Sequence, residues 1–182
     1  MTVVNIIQER RSIRQFDSRD IPAESLQSIL TAAQFSQSWA NSQCWELAVI
    51  RDQTMKKELQ KTIPSGNPSY SSITTAPIVL AVCGQLQKAG YYGGKPVTKF
   101  GDWFMFDLGI MTENICLTAH SLGLGTVVVG LFDHAKAARA LSVPENHELV
   151  ILLPIGYPIT TDAPIPKTPR REIKDFLHEN RF

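Results

Sequence analysis

The sequence predicts a single domain of mixed helix and sheet, α/β or α+β, and three observations carry that prediction. Its 182 residues, 43% of them hydrophobic, suffice for one domain with a sizeable core. Two segments, "APIVLAVCG" and "ELVILLPIGYP", are apolar without alternation, as in strands covered on both faces. Ahead of them, and between them, lie stretches that read as helices, the first with amphipathic spacing.

Taken in order, residues 2–9 predict a short helix leading into "ERRSIRQF", where Arg10, Arg11 and Arg14 surround Ser12. Pro22 suits a first helical position, and Leu26, Ile29, Leu30 and Ala33 follow at amphipathic spacing. "FSQSWANSQC" is polar and irregular, and "WELAVIR" predicts a strand. Residues 53–61 predict a polar surface helix, "PSGNPSYSS" a loop, and "APIVLAVCG" a buried strand. "GYYGGKPVTKFGD" predicts a mobile loop. The helix from about Trp103 to Ser121 is apolar nearly all round, so it must be buried in a large core or against another subunit. "GLGTVVVGLF" predicts a strand and tight turn, "AKAARALSV" a short helix, and "ELVILLPIGYP" a second buried strand. Pro158, Pro164, Pro166 and Pro169 then favour an extended segment before a short helix carrying Ile173, Phe176 and Leu177 on one face.

Composition excludes several function classes. A net charge of +1 argues against nucleic acid as the main partner, which normally demands a basic excess. Cys44, Cys83 and Cys116 are odd in number, widely spaced and in apolar surroundings, as expected of reduced core thiols in a cytoplasmic protein. His120, His134, His147 and His178 show no metal-ligand spacing. The most apolar stretch, Phe104–Leu122, is interrupted by Asp107, Glu113, Asn114 and His120 and is a poor membrane span.

The arginine cluster admits three readings: a solvated charged turn, a kinase or nucleic-acid patch that no further basic stretch or aromatic array supports, or an anion clamp in which guanidinium groups and a serine hydroxyl hold a phosphate. In "SWANSQCW", Asn41 and Gln43 stand just before a buried strand and must find polar partners, of which a ligand's amide edge is one. "GLGTVVVG" is not a dinucleotide fingerprint, because it precedes a strand instead of following one. Gly130 there would let backbone approach a flat ligand. With no triad or metal set in view, redox chemistry would have to come from a cofactor.

Five segments, in order, resemble the flavin-dependent nitroreductases over nearly the whole chain: "RRSIRQF", "SQSWANSQCWELAVI", "DLGIMTENICLTAHSLGLGTVVVG", "LLPIGYP" and "KTPRR". The resemblance implies one domain over residues 1–182 with an α+β fold. Its central, mainly antiparallel sheet would be flanked by helices in an intertwined homodimer, with residues 158–182 embracing the partner. It implies FMN at the subunit interface, NADH or NADPH as donor, and nitroaromatics, quinones or related small molecules as acceptors in ping-pong hydride transfer. No side chain need act as a catalytic acid.

Matched position by position, Arg10 and Ser12 would hold the FMN phosphate, Arg14 would lie near the pyrimidine edge, and Arg11 falls within the same motif. Gln37, Ser38, Trp39 and Asn41 match the loop that reaches the flavin from the other subunit. Asn67 is the candidate for a middle-chain flavin contact. Val129 and Gly130 match the turn whose backbone N–H can donate to flavin N5. Larger members carry an acidic residue where this chain has Val129. Arg170 matches a C-terminal phosphate ligand, a role that Lys167 or Arg171 could share. Alternatives of the same resemblance are a specialised reductive dehalogenase and a flavin-binding sensor or storage protein with little turnover.

Overall fold

The computed structural model describes residues 2–159 and 168–182. In chain order the elements are α1 (Val3–Glu9), α2 (Ala23–Gln34), β1 (Trp45–Ile50), α3 (Gln53–Gln60), α4 (Ser72–Thr75) and β2 (Ile78–Gln85). They continue with β3 (Tyr91–Tyr92), β4 (Lys95–Pro96), α5 (Phe104–Ser121), β5 (Gly125–Thr126), α6 (His134–Ala140) and β6 (His147–Gly156).

Side-chain caps start several helices where the sequence changes character. Asp52 accepts from the Met55 N–H at 2.7 Å and opens α3, and Asp133 accepts from Lys136 at 3.0 Å and opens α6. Pro22 stands at the cap of α2, one position earlier than expected from its ring geometry.

The main sheet has the order β1-β2-β6-β5, with every neighbouring pair antiparallel. It is the antiparallel sheet flanked by helices that the resemblance implies. Ile78 to Gly84 of β2 are buried throughout because β2 is central and both of its faces are covered. One face packs Val79, Ala81 and Cys83 with Leu59, Ile73 and Ala137. The other packs Ile78, Leu80 and Val82 with Ile29 of α2 and Met111 and Ile115 of α5.

Three elements differ from the sequence reading. The expected mobile loop contains a hairpin: β3 and β4 pair antiparallel across Gly93 and Gly94, whose φ angles of 55° and 73° suit a tight two-residue turn. The expected strand in "GLGTVVVGLF" shrinks to Gly125–Thr126 plus one bridge from Val129 to Leu152. The closing helix is one 3₁₀ turn, Ile173–Asp175, with Ile173, Phe176 and Leu177 all exposed. Helix α5 buries Leu108, Met111, Ile115 and Ala119, yet leaves Met105 and Phe106 more than half exposed. Within one chain, therefore, its all-round apolar surface is only half covered. None of the helices among the described residues is long and apolar enough to cross a membrane.

Candidate functional site

Residues 10–14 run extended beside β5, where Ser12 bridges Thr126 in parallel and the Ile13 N–H donates to the Thr126 carbonyl at 2.9 Å. Alternation along an extended chain sends residues 10, 12 and 14 to one side and 11 and 13 to the other. Gly125 makes this contact possible: a Cβ there would lie 2.5 Å from the Ile13 side chain. The buried Ser72 hydroxyl donates to the Arg14 carbonyl at 2.9 Å and ties the segment to the end of the 64–71 loop.

Arg10 and Glu113 of α5 approach to 3.4 Å between Nε and Oε1. That Nε is buried and has no hydrogen-bond partner among the described residues. The two side chains are thus paired in charge but not aligned for a hydrogen bond. Ser12 and Arg14 are exposed, and the Arg14 guanidinium donates to the Ser12 carbonyl at 3.3 Å. Arg11 goes the other way, donating to the Gln8 and Arg10 carbonyls at 2.6 and 2.7 Å and closing the end of α1.

From Thr126 the chain leads directly into the Val129–Gly130 turn. Val129 is buried, and its N–H and C=O both bond to Leu152, at 2.9 and 3.0 Å. Gly130 is exposed, with nothing within 4 Å of where a Cβ would stand. His134 faces its carbonyl at 3.2 Å. Of the two residues, only Gly130 retains an N–H without a partner among the described residues. An apolar groove of about 290 Å³ adjoins the turn, lined by Met105, Leu108, Glu113, Val128, Val150 and Ile151. A larger cavity of about 370 Å³ beside Ala48, Ala81, Cys83 and Pro144 shares no residue with this region.

Asn67 turns its side-chain oxygen to the Ser69 N–H at 2.8 Å, so it shapes its own loop. Arg170 donates to the Thr168 and Pro169 carbonyls, and Arg171 to the Asp175 carbonyl. The described C-terminal residues are exposed, and these bonds do not bring either arginine to Arg10. Lys167 lies outside the described residues.

The 37–43 loop forms a second constellation at the start of α5. Gln37 and Asn41 are exposed, Ser38 and Trp39 are half-buried, and the Trp39 ring meets Tyr92 of the hairpin with centroids 5.1 Å apart. Ala40, Asn41 and Gln43 have φ of 46°, 54° and 47°, in the left-handed region. Asp107, only 1% exposed, accepts from the Trp39 N–H at 3.0 and 3.1 Å, the Ser42 hydroxyl at 3.3 Å and the Cys44 thiol at 3.5 Å. Burial, with the Asp107 charge and hydrogen bond adding to it, pushes the Cys44 thiol up to about 11.

Asp107 and Glu113 stand six residues apart, which on an α-helix is roughly 9 Å of rise and about 120° of rotation. The loop and the arginine segment therefore sit against different faces of α5. Sequence reading missed Asp107, Glu113, Ser72 and Thr126. For the two acids the available signal was a carboxylate interrupting an apolar helix, which reads equally as a solvated face.

The residues on the arginine side fit a phosphorylated flat ligand. Among the described residues, an Arg10 Nε that is buried without a hydrogen-bond partner, the Ser12 hydroxyl and a second guanidinium lie along one short segment, and an open glycine turn lies beside an apolar groove.

The Nitroreductase family profile matches residues 7–157. A Methanothermobacter thermautotrophicus protein with the provisional name NADH dehydrogenase/NAD(P)H nitroreductase is 32% identical over 162 residues, 87% of this chain and 78% of its own length. The NADPH-flavin oxidoreductase of Vibrio harveyi is 27% identical over 184 residues, covering 98% of this chain and 74% of that protein. Among solved structures, an iodotyrosine deiodinase bound to FMN and 3-iodo-L-tyrosine superposes with a TM-score of 0.80 at 20% identity, over 100% of both chains.

Proposed function

The chain belongs to the nitroreductase family, and on that premise we propose that it is an FMN-dependent NAD(P)H oxidoreductase. In this reading it reduces small nitroaromatic, quinone or related acceptors as a homodimer. The single observation that carries the reading is the shared edge of Arg10, Ser12 and Arg14 beside the open Gly130 turn. The relationship to an NADPH-flavin oxidoreductase supports it, and the FMN-bound deiodinase supports the capacity of this fold to take FMN.

When bound, FMN would accept hydride from the nicotinamide and pass electrons on to the acceptor. The chain's own residues position and charge that group. Arg10 and Ser12 hold the phosphate, because a guanidinium can give a dianion two parallel hydrogen bonds and a hydroxyl adds a third. Arg14 places positive charge by the pyrimidine edge, which favours a ring that gains electrons. The Gly130 N–H would be the backbone donor offered to the ring, since the Val129 N–H bonds to Leu152. A backbone donor does not depend on an acidic side chain, so Val129 in place of an acid leaves this contact intact. The loop carrying Gln37, Ser38, Trp39 and Asn41 completes the partner's site. Arg170, with Lys167 or Arg171, adds a C-terminal contact to the phosphate, and Asn67 a contact from the 64–71 loop.

The test is direct. Purified protein is expected to be yellow, to release FMN on denaturation, and to oxidise NADH or NADPH anaerobically when an acceptor is added. Release of FAD, or a colourless protein that cannot be reconstituted with FMN, contradicts the assignment. A flavin that binds but does not turn over selects the sensor or storage reading. Similarity to a Nematostella vectensis iodotyrosine deiodinase, 24% identical over 195 residues, favours reductive dehalogenation as a second reading. Iodide release from iodotyrosine under reducing conditions distinguishes it.

A further inference from the structure

We propose that Asp107 is a positioning residue, whose buried carboxylate holds the 38–44 loop in the shape that meets the cofactor. The proposal rests on the flavin reading above. Three residues without glycine's freedom, Ala40, Asn41 and Gln43, occupy left-handed backbone within four positions. Such conformations are disfavoured for L-residues and persist only where surrounding contacts over-determine them.

Asp107 supplies those contacts at both ends of the strained stretch. The Trp39 N–H lies just before Ala40, and the Ser42 hydroxyl and Cys44 thiol flank Gln43. The Ser38 hydroxyl accepts from the Gln43 N–H at 2.9 Å and closes the loop on itself. No cation among the described residues comes within ion-pairing distance of Asp107. A buried carboxylate without a counter-ion is tolerated only when donors converge on it, and here all of those donors belong to the loop.

An ordinary role for an acid in a first helical turn is to complement the helix dipole. The hydrogen bonds point elsewhere. The N–H groups of Phe106 and Asp107 bond to the Trp103 carbonyl, and none of the donors to the Asp107 carboxylate is an α5 N–H. The side chain therefore acts outward, on the loop. Asparagine is the informative replacement, since it keeps the shape but turns one of two acceptors into a donor facing N–H, O–H and S–H groups.

The experiment compares wild-type and Asp107→Asn holoprotein. A loop that meets the part common to both flavins affects them alike, so FMN and riboflavin should both bind about tenfold more weakly in Asp107→Asn. Ala40→Gly or Gln43→Gly removes the left-handed penalty, and added to Asp107→Asn either should recover about threefold of that loss. Hydrogen exchange gives a readout that needs no flavin: in Asp107→Asn the Trp39 amide should lose protection while the α5 amides keep theirs. Wild-type affinity for both flavins in Asp107→Asn overturns the proposal. So does equal loss of protection along α5, or no recovery from either glycine. If the wild type itself binds no flavin, the flavin reading fails, and unchanged exchange at Trp39 would then overturn the clamp as well.

Discussion

Arg10 and Arg11 are neighbours in sequence with opposite surroundings, and the difference decides what each can bind. Arg11 spends its guanidinium on the carbonyls that end α1. Among the described residues, Arg10 has a buried Nε without a hydrogen-bond partner and the half-exposed Glu113 as its charge partner. A charge-assisted hydrogen bond contributes roughly 1.5–3 kcal/mol, so Arg10→Ala should weaken FMN binding about ten- to a hundredfold. Riboflavin, which lacks the phosphate, should distinguish poorly between wild type and this variant, and equal losses for both flavins would indicate a general defect. Glu113 competes with a phosphate for the same guanidinium. Glu113→Gln should therefore tighten FMN by up to about fivefold, the range of a weak exposed ion pair, and isothermal titration at low salt would show it.

At the scale of elements, the packing of the arginine segment on β5 turns on a single missing methyl. With Ile13 only 2.5 Å from a Cβ built at Gly125, Gly125→Ala should cost about 1–3 kcal/mol of stability and displace the segment that carries Arg10 and Ser12. Urea unfolding and FMN titration on one sample would reveal both effects, and an unperturbed variant would mean that the segment is not held there. The strands and α5 also enclose the cysteines. Burial pushes the Cys83 thiol up to about 11, aided by the charges of Glu148 and Glu46, and raises Cys116 as well. Because the thiolate is the reactive form, the folded protein at pH 8 should resist alkylation at Cys44, Cys83 and Cys116 until it is denatured. Fast labelling of the native protein, read by mass spectrometry, would contradict this packing.

Over the whole molecule, the bare side of α5 is the feature a single chain does not explain. Met105 and Phe106 are 58% and 59% exposed, and Val128 and Leu131 are 50% and 65% exposed beside the Gly130 turn. Apolar surface of this kind marks an association site. A homodimer that stays associated at sub-micromolar concentration is the expected outcome in sedimentation. Arg10 and the 37–43 loop lie against different faces of α5, which suits a site that draws them from different chains. Co-expressed Arg10→Ala and Asp107→Asn chains should then form heterodimers in which one site has both partners intact and binds one FMN with wild-type affinity. Two weak sites per heterodimer would show that each chain builds its site alone.

The sequence by itself determined the elements whose signals are local. Pro22 with amphipathic spacing, a polar surface run and unbroken apolar runs marked α2, α3, β2 and β6, while Arg10, Ser12 and Arg14 became a candidate phosphate site only through the family resemblance. It also held the Gly93–Gly94 turn, misread as a mobile loop because flanking strands of two residues give periodicity nothing to act on. Tertiary structure alone decided which polar groups meet. Asp107 lies more than sixty residues from the loop it holds, and Glu113 about a hundred from Arg10. No spacing rule links such positions, because their neighbourhood is set by how α5 packs across the sheet. The same holds for Val129 and Gly130: the sequence offered two adjacent N–H groups, and among the described residues the bond from Val129 to Leu152 leaves one of them, that of Gly130, without a partner. Burial forces each polar group to find a partner, and the path of the chain through space settles which partner that is.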